Sequence, residues 1–434
     1  MEVKLYEHQK QALNLTKNSN KVAYYLDMGL GKTFVGSEKM VQLGKRVNLV
    51  VCQKSKVQDW FDHFCSYYPN LGYSFLNLTN KLELEYFLEM ANNPNATLKI
   101  VGFINYDLLF RRPVLKQLKD FTLMLDESSL IQNEKAKRSK FILDMNPSNV
   151  ILLSGTPTSG KYENLWSQIH LLGWSISQDT YNKQYINWKK IDVGGFIHKI
   201  VDKDDPYKNI DRLKLKMREH GAVFMKTEEC FDLPEQNFIT VNCGSSEEYR
   251  KFKKDSIIQF MTDDQEIELI GDTTLTKMMY SRMLCGQYNK EKLQSFKDLV
   301  ESTNDRLIVF YNFTNELNKM VELVSEMDRK ISIINGQVKD LTAYECDSSS
   351  ITFVQYQAGA MGLNLQKANK IIYFTLPLLS EHFEQSKKRI HRIGQTNTCF
   401  YYLMICKGSI EEEILQTLEL RKDYTDYLFK EKDE

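Results

Sequence analysis

Residues 24–33 read Tyr-Tyr-Leu-Asp-Met-Gly-Leu-Gly-Lys-Thr, and the fold is decided by how this stretch is read. It closes an apolar run that begins at Val22 and breaks on Gly29 and Gly31, and Phe34 to Leu43 follow in a helix-like pattern. Strand, glycine turn and helix together make the build of a phosphate cradle. Glycines let backbone N–H groups of Met28, Gly29, Leu30 and Gly31 approach an anion, and the helix N-terminus adds partial positive charge. In such a cradle Lys32 reaches the β- and γ-phosphates and the Thr33 hydroxyl ligates Mg²⁺. The first glycine of the GxxxxGK[ST] pattern is absent, because Leu26 stands there. A chance turn therefore remains the alternative on this stretch alone.

A chain of 434 residues exceeds what one hydrophobic core serves, so two or three domains are expected. Hydrophobic residues at 42% and charged residues at 26% are ordinary for a globular protein. Lysine plus arginine and aspartate plus glutamate both count 57, so the net charge is zero and nucleic-acid binding must come from a local basic face. The eight cysteines form no CxxC pair and the seven histidines are scattered, which indicates buried, reduced thiols and neither a zinc site nor a disulfide framework. The N-terminus is polar, without a signal-peptide core, and no apolar run approaches the ~20 residues that span a bilayer. The expected location is the cytoplasm, nucleoid-associated or in a host cell, with no membrane and no secretion signal.

Along the chain, Leu5 to Lys17 forms an amphipathic helix pattern ahead of the cradle, and its Gln9 carries an amide able to pair with an adenine edge. Val47 to Cys52 reads as a buried strand, followed by Lys54 and Ser55, which could contact a phosphate backbone, and by Trp60 and Phe61, assigned to the core. Leu98 to Phe103 reads as another strand; beyond it, Arg111-Arg112 reads better as a solvated pair than as a phosphate contact. Phe121 to Leu125 is an apolar strand delivering Asp126-Glu127 at its carboxyl end, where open α/β sheets bind ligands. One carboxylate there holds Mg²⁺ and the next orients an attacking water. Asn149 to Leu153 ends in Ser154-Gly155-Thr156-Pro157, either a plain turn or a relay of ligand state.

Residues 162–226 and 247–302 carry a helical period, with Leu233-Pro234-Glu235 as linker between domains 1–232 and 233–434. Strands resume at Arg306 to Phe310, Ile331 to Ile334, Ile351 to Val354 and Lys370 to Phe374, without a second phosphate loop. The small-residue loop 358–365, with Gly362 and Asn364, suits close approach to a ligand, and Arg389 and Arg392, three apart, would share one helix face.

In this order the stretches resemble the Snf-family ATPases, the chromatin-remodeller-like branch of helicase superfamily two. LYEHQ is similar to the adenine-reading motif, DMGLGKT to the phosphate loop and VVCQKSKVQDW to motif Ia. LDESSLIQN is similar to the Asp-Glu box and LSGTPTSGKYENLW to motif III. RLIVFYNFT, QAGAMGLNLQKAN and QSKKRIHRIGQT are similar to motifs IV, V and VI. The resemblance covers about Leu5 to Ile414. It implies an α/β fold of two RecA-like lobes, each a mostly parallel sheet flanked by helices, with helical protrusions at 162–226 and 247–302. It further implies ATP and Mg²⁺ in the cleft and double-stranded DNA across both lobes. By position, Lys32, Thr33, Asp126 and Glu127 serve ATP and Mg²⁺, Gln9 reads adenine, Arg389 and Arg392 complete the site, and Gln385 supports it; Lys54, Ser55, Gly362 and Asn364 touch DNA.

The chain departs from the family pattern at Leu26, at the DESS box, at Phe224-Met225-Lys226, at Gln357 and at Leu378-Leu379-Ser380. The last three fall on DNA-facing or lobe-coupling positions. The expectation is a minimal, monomeric DNA translocase acting on double-stranded or branched DNA, with replication or recombination proteins as partners. A strand-separating helicase and an ATP-gated clamp that does not move are the alternatives.

Overall fold

The computed structural model describes residues 3–193, 196–262, 266–359 and 363–429. The chain divides into two compact units, one of the residues up to Cys230 together with those from Tyr424 onward and one of Phe231–Asp423; the first boundary falls just ahead of Leu233-Pro234-Glu235.

In the first unit, strands β1 (Lys21–Leu26), β2 (Val47–Cys52), β3 (Tyr73–Asn77), β4 (Lys99–Asn105), β5 (Phe121–Asp126) and β6 (Asn149–Ser154) precede a two-stranded hairpin, β7 (Trp188–Val193) with β8 (Phe196–Val201), and then β9 (Ala222–Met225). Seven of them form one sheet in the order β3-β4-β2-β5-β6-β1-β9, every neighbouring pair parallel. Helices cover such a sheet on both faces, so its strands read as continuous apolar runs, and every residue of β2 is buried.

The second unit repeats the scheme with β10 (Gln236–Cys243), a hairpin of β11 (Ile257–Met261) and β12 (Glu266–Ile270), and then β13 (Leu307–Tyr311), β14 (Ile331–Ile334), β15 (Ile351–Gln355), β16 (Lys370–Tyr373) and β17 (Cys399–Cys406). Its sheet runs β10-β17-β16-β13-β15-β14, again parallel throughout. Strands β10 and β17 pair over their whole length, Gln236 with Cys399 to Cys243 with Cys406. The segment after the linker therefore enters the second sheet directly, well before the expected restart at Arg306.

The two segments expected to be helical protrusions are mixed. Residues 162–226 contain helices Trp166–Leu171, Gln178–Tyr185 and Ile210–Glu219, but also the β7–β8 hairpin and β9. Trp188, Ile191, Val193, Phe196, Ile197, Ile200 and Val201 are β-favouring residues, which suits a hairpin better than a helix. Ala222–Met225 is buried along its length and extends the main sheet beside β1. Phe224 and Met225 thus belong to a sheet edge, not to a helix before the linker. Residues 247–302 likewise contain helices Glu247–Asp255, Thr274–Cys285 and Lys290–Glu301 around the β11–β12 hairpin. Gly194-Gly195 lie outside the described residues.

Among the described residues no helix is long and apolar enough to cross a membrane. All eight cysteines are free, and Cys52, Cys243, Cys285, Cys399 and Cys406 are buried. Arg112 is a clamp and not a solvated residue: its guanidinium donates to the carbonyls of Leu78 and Thr79.

The last helix, Ile410–Phe429, is fastened to the second sheet by an ion pair with no exposure to speak of. Lys292 Nζ donates to Glu411 Oε1 at 2.6 Å and Oε2 at 2.8 Å, and Glu411 Oε2 also accepts from the Cys406 N–H. Burial opposes the Lys292 charge, but Glu411 outweighs it and holds the ammonium above its ordinary range. Removing one partner leaves the other charge buried, so Lys292→Met should cost the second unit about 3–5 kcal/mol. Urea unfolding of the full chain checks this, and a loss below about 1 kcal/mol would contradict it.

Candidate active site

Strand β6 lies between β1 and β5. Its register sets Tyr25 beside Ser154 and Asp126 beside Leu153, so the carboxyl ends of β1, β6 and β5 stand side by side. The loop after β1 leads into the helix Lys32–Leu43 through two residues with left-handed backbone, Gly29 at φ +88° and Gly31 at φ +73°. Residues with a Cβ rarely adopt such angles. At Gly31 a Cβ would also run into the Gln9 amide.

This loop is pinned from two sides. From the helix Glu7–Leu15, the ring Nε2 of His8 and the amide Nε2 of Gln9 meet the Leu30 carbonyl at 2.9 and 3.1 Å. The carbonyl accepts both, so His8 carries its proton on Nε2. Gln9 Oε1 accepts from the Tyr6 N–H, and the whole Gln9 amide is thereby engaged within the chain. From the other side the Thr227 hydroxyl donates to Asp27 Oδ2 and to the Met28 carbonyl. The pinning helix is itself anchored, because the buried Lys39 ammonium donates to the Thr16 carbonyl at its C-terminal end at 2.6 Å.

Lys32 Nζ donates to the Leu26 carbonyl at 2.9 Å and to that of Asp27 at 3.3 Å, curled back over the loop. A Cβ on Gly155 would meet Lys32 Nζ, the Leu26 carbonyl and Met28, so the Ser154-Gly155-Thr156-Pro157 turn packs on the cradle. Asp126 receives the Trp60 indole N–H on Oδ2 at 2.8 Å. Burial raises its carboxyl above the ordinary range, while the Trp60 hydrogen bond and the Lys32 charge pull it back. Trp60, assigned to the core from sequence, is buried and also orients this carboxylate. A buried indole must find an acceptor, and that was the available signal.

Glu127 has φ +53°, left-handed backbone in a residue with a Cβ, and the Tyr106 hydroxyl donates to the backbone carbonyl of Asp126 at 2.9 Å. Beyond the turn, a buried amide joins three segments: Gln168 Oε1 accepts from the hydroxyls of Tyr25 and Ser128, and its Nε2 donates to the Pro157 carbonyl at 2.7 Å. Ser128 follows the carboxylate pair and Pro157 ends the turn on the cradle. Gln168 thus ties both to β1. Neither Tyr106 nor Gln168 was singled out from sequence, since only the fold brings them to these partners.

Lys54 and Ser55 are exposed on a single 3₁₀ turn after β2. In the second unit, Arg389 and Arg392 do not share a helix face, because the helix Ser380–Lys387 ends before both. The chain there turns: the buried Gln395 amide donates to the carbonyls of Gln366 and Ala368, and Gly394 has φ +94°. Arg389 is buried, and its guanidinium donates to the Leu363 carbonyl. Arg392 donates to the Asn364 side chain, and Gln385 donates to Glu381 Oε1. Arg389, Arg392 and Asn364 are therefore brought together by side-chain bonds; Gly362 lies outside the described residues.

A family model for the SNF2-related domain matches residues 8–293, and one for the helicase conserved C-terminal domain matches residues 291–394. The chain is 24% identical to YwqA of Bacillus subtilis (strain 168), named as an inferred ATP-dependent helicase/translocase, over 93% of this chain and 46% of that one. It is 21% identical to the ISWI chromatin-remodeling complex ATPase ISW1 of Saccharomyces cerevisiae, over 96% of this chain and 40% of that one. The chain thus spans less than half the length of these relatives. A solved structure described as the Sulfolobus solfataricus SWI2/SNF2 ATPase core in complex with dsDNA aligns over 98% of this chain and 93% of that one, at 18% identity and a TM-score of 0.45.

The packing beside the cradle makes a pH prediction. His63 bonds Ser37 at 3.1 Å and lies among Phe34, Trp60 and Tyr67, and burial pushes its pKa down to about 4. The unfolded chain takes up this proton near pH 6.5 and the folded chain does not, so stability should fall as pH drops from about 6.5 to about 4. Asp126, raised by burial, acts with the opposite sign. In His63→Leu the histidine part of the acid-side loss should vanish, as read by urea midpoints at pH 7, 5.5 and 4.5; unchanged midpoint differences would contradict it.

Proposed function

The chain belongs to the SNF2-related family, with a helicase C-terminal domain completing it, and from that premise we propose that it is an ATP-driven motor on double-stranded DNA. The observation that carries this reading is the convergence of the glycine loop, Lys32, Asp126 and Glu127 on the carboxyl ends of β1, β6 and β5. These groups suit a nucleoside triphosphate with Mg²⁺. Met28 to Gly31 and the helix N-terminus at Lys32 present N–H groups and partial positive charge to phosphates. Thr33 and Asp126 are the oxygen donors for the metal, which would shield the phosphate charge when bound.

Lys32 leaves its carbonyl partners for the phosphates, and Glu127 holds and accepts a proton from the attacking water. Gln9 contacts the adenine edge, exchanging one of its present bonds to do so. Arg389 and Arg392 are the cations assigned to the developing charge, with Gln385 in support. Gln168 transmits the position of Ser128 to the Pro157 turn. On the DNA, Lys54, Ser55, Gly362 and Asn364 contact the backbone, and alternating grip of the two lobes gives movement. The finer reading is remodelling of branched or protein-bound DNA in replication, recombination or repair; the remodelling and translocation part of it is supported by relatives named as a helicase/translocase and as a chromatin-remodeling ATPase.

One feature favours strand separation as a second reading. The β7–β8 hairpin exposes Phe196 at 74% and Ile197 at 70%, and Lys190 faces Lys199 directly across its strands. Like charges so placed repel unless an anion lies over them. Apolar side chains next to such a phosphate contact are suited to wedge between base steps.

Steady-state ATPase should be measured at fixed low salt with no nucleic acid, single strands, duplex, forked DNA and RNA. Duplex or forked DNA should stimulate turnover most; stimulation by RNA or single strands alone would overturn the substrate. Lys32→Ala and Arg389→Ala should each lower turnover about 100-fold or more, and normal hydrolysis in either would refute the role given to that residue. Displacement of a third strand from a triplex distinguishes a translocase from a static clamp. For the hairpin, Phe196→Ala with Ile197→Ala should slow unwinding of a forked duplex severalfold while duplex-stimulated ATPase persists. Equal loss of both would assign the hairpin to DNA binding alone.

A further inference from the structure

Arg282 is a buried cation without a counter-ion. It stands near the end of the helix Thr274–Cys285 in the second unit and is 8% exposed. Its Nη2 donates to the Leu376 carbonyl at 2.9 Å, and the guanidinium lies over the Phe313 ring, 5.2 Å from its centroid. Among the described residues no carboxylate forms an ion pair with it, and its Nε and Nη1 have no acceptor. Burial pulls the group below its ordinary range, and Glu316 acts the other way without bonding it. Arg329 in the same unit shows the alternative. Its Nε, Nη1 and Nη2 all donate to backbone carbonyls, those of Ser349, Val300, Thr303 and Asp305. Buried charges are ordinarily paired or fully hydrogen-bonded, so the idle N–H groups of Arg282 call for a partner from outside the chain.

Those groups are not sealed from solvent, and Arg282 lines a cavity of about 200 Å³ whose walls all belong to the second unit. The Leu376 carbonyl that takes Arg282 Nη2 also accepts from Asn312 Nδ2 at 3.1 Å, and Asn312 lines the cavity too. The guanidinium end, and not the side-chain stem, therefore stands at the wall. The cavity sits at the carboxyl ends of parallel strands: Asn312 follows β13, Tyr356 and Gln357 follow β15, and Pro377 comes shortly after β16. Ligands of open α/β sheets bind at this edge.

The walls narrow the chemistry. No aspartate or glutamate lines the cavity. Glu316 lies outside the lining, accepting from the N–H groups of Asn312 and Phe313 and from the Thr375 hydroxyl. Burial lowers the pKa of His382, another wall residue, so its ring is neutral at pH 7 and offers one N–H. A single positive charge thus faces the space. The volume falls below the roughly 300–1,000 Å³ of small-molecule pockets, which suits one tetrahedral anion and not a nucleotide. The N–H fork of a guanidinium matches two oxygens of one phosphate.

We propose that this cavity seats one phosphate group on Arg282, taken from the backbone of bound DNA or as free inorganic phosphate. The DNA source rests on the chain being a DNA motor, and the free-anion source does not.

Two titrations of the full chain test it. In the first, a labelled duplex is followed by fluorescence anisotropy over a salt series without nucleotide. Arg282→Gln should bind it severalfold more weakly at low salt, with a plot of log affinity against log salt shallower by about 0.9, the share of one phosphate. In the second, the ³¹P line of inorganic phosphate is followed at constant ionic strength. Part of its saturable broadening should be lost in Arg282→Gln, while the part due to the glycine loop remains. A loss in the DNA titration identifies the backbone as the source, and a loss for inorganic phosphate alone identifies the free anion. Where Arg282→Gln lowers the urea midpoint, Gln357→Glu decides, because it sets a negative charge on an exposed wall residue and should weaken the same titration. Both titrations unchanged from the parent would overturn the proposal. A parent that binds phosphate through Arg282 but binds no duplex would refute the motor and leave this site standing.

Discussion

The parallel insertion of β6 between β1 and β5 is the constraint on which the first unit depends. Parallel strands end on the same side, so the loop after β1, the carboxylates after β5 and the turn after β6 meet without any of them being near in the chain. The Leu26 carbonyl, where β1 stops, then becomes a resting partner for Lys32, and Gly155 becomes its floor. A strand order that placed a further strand beside β6 between β1 and β5 would leave the same residues unable to act together.

Around that edge the protein holds its reactive groups with three buried side chains, Trp60, Tyr106 and Gln168, whose polar ends are committed. Trp60 supplies the only polar atom of its ring to Asp126, Tyr106 bonds the backbone of the carboxylate pair, and Gln168 gathers Tyr25, Ser128 and Pro157. Buried polar groups left unmet cost more than met ones return, so such a network has one favourable arrangement. It gives the turn after β6 a mechanical link to the residue after Glu127. His8, Gln9 and Thr227 do for the loop what this network does for the carboxylates.

The second unit follows the same parallel scheme but spends its buried charges on fastening. Lys292 and Glu411 tie the last helix to the end of β17, and the Gln395 amide ties the arginine turn to the carbonyls of Gln366 and Ala368. That turn is why Arg389 is buried against Leu363 while Arg392 reaches Asn364: a continued helix would have put both on one exposed face.

The sequence by itself determined the strands that are apolar on both faces, such as Val47–Cys52 and Asn149–Ser154, and the glycine loop with its lysine. Burial on both faces and left-handed backbone each restrict residue type strongly, so these were legible in one dimension. The lesser signals were not. Ala222–Met225 and Gln236–Cys243 are strands because a neighbouring strand accepts them at a sheet edge, and the Trp188–Val201 hairpin hid inside a charged segment with no core to reveal its period. The end of a helix at Lys387 and the second role of Trp60 are matters of which atoms lie within about 3 Å. Those distances come from the packing of elements far apart in the chain, and only the tertiary structure decided them.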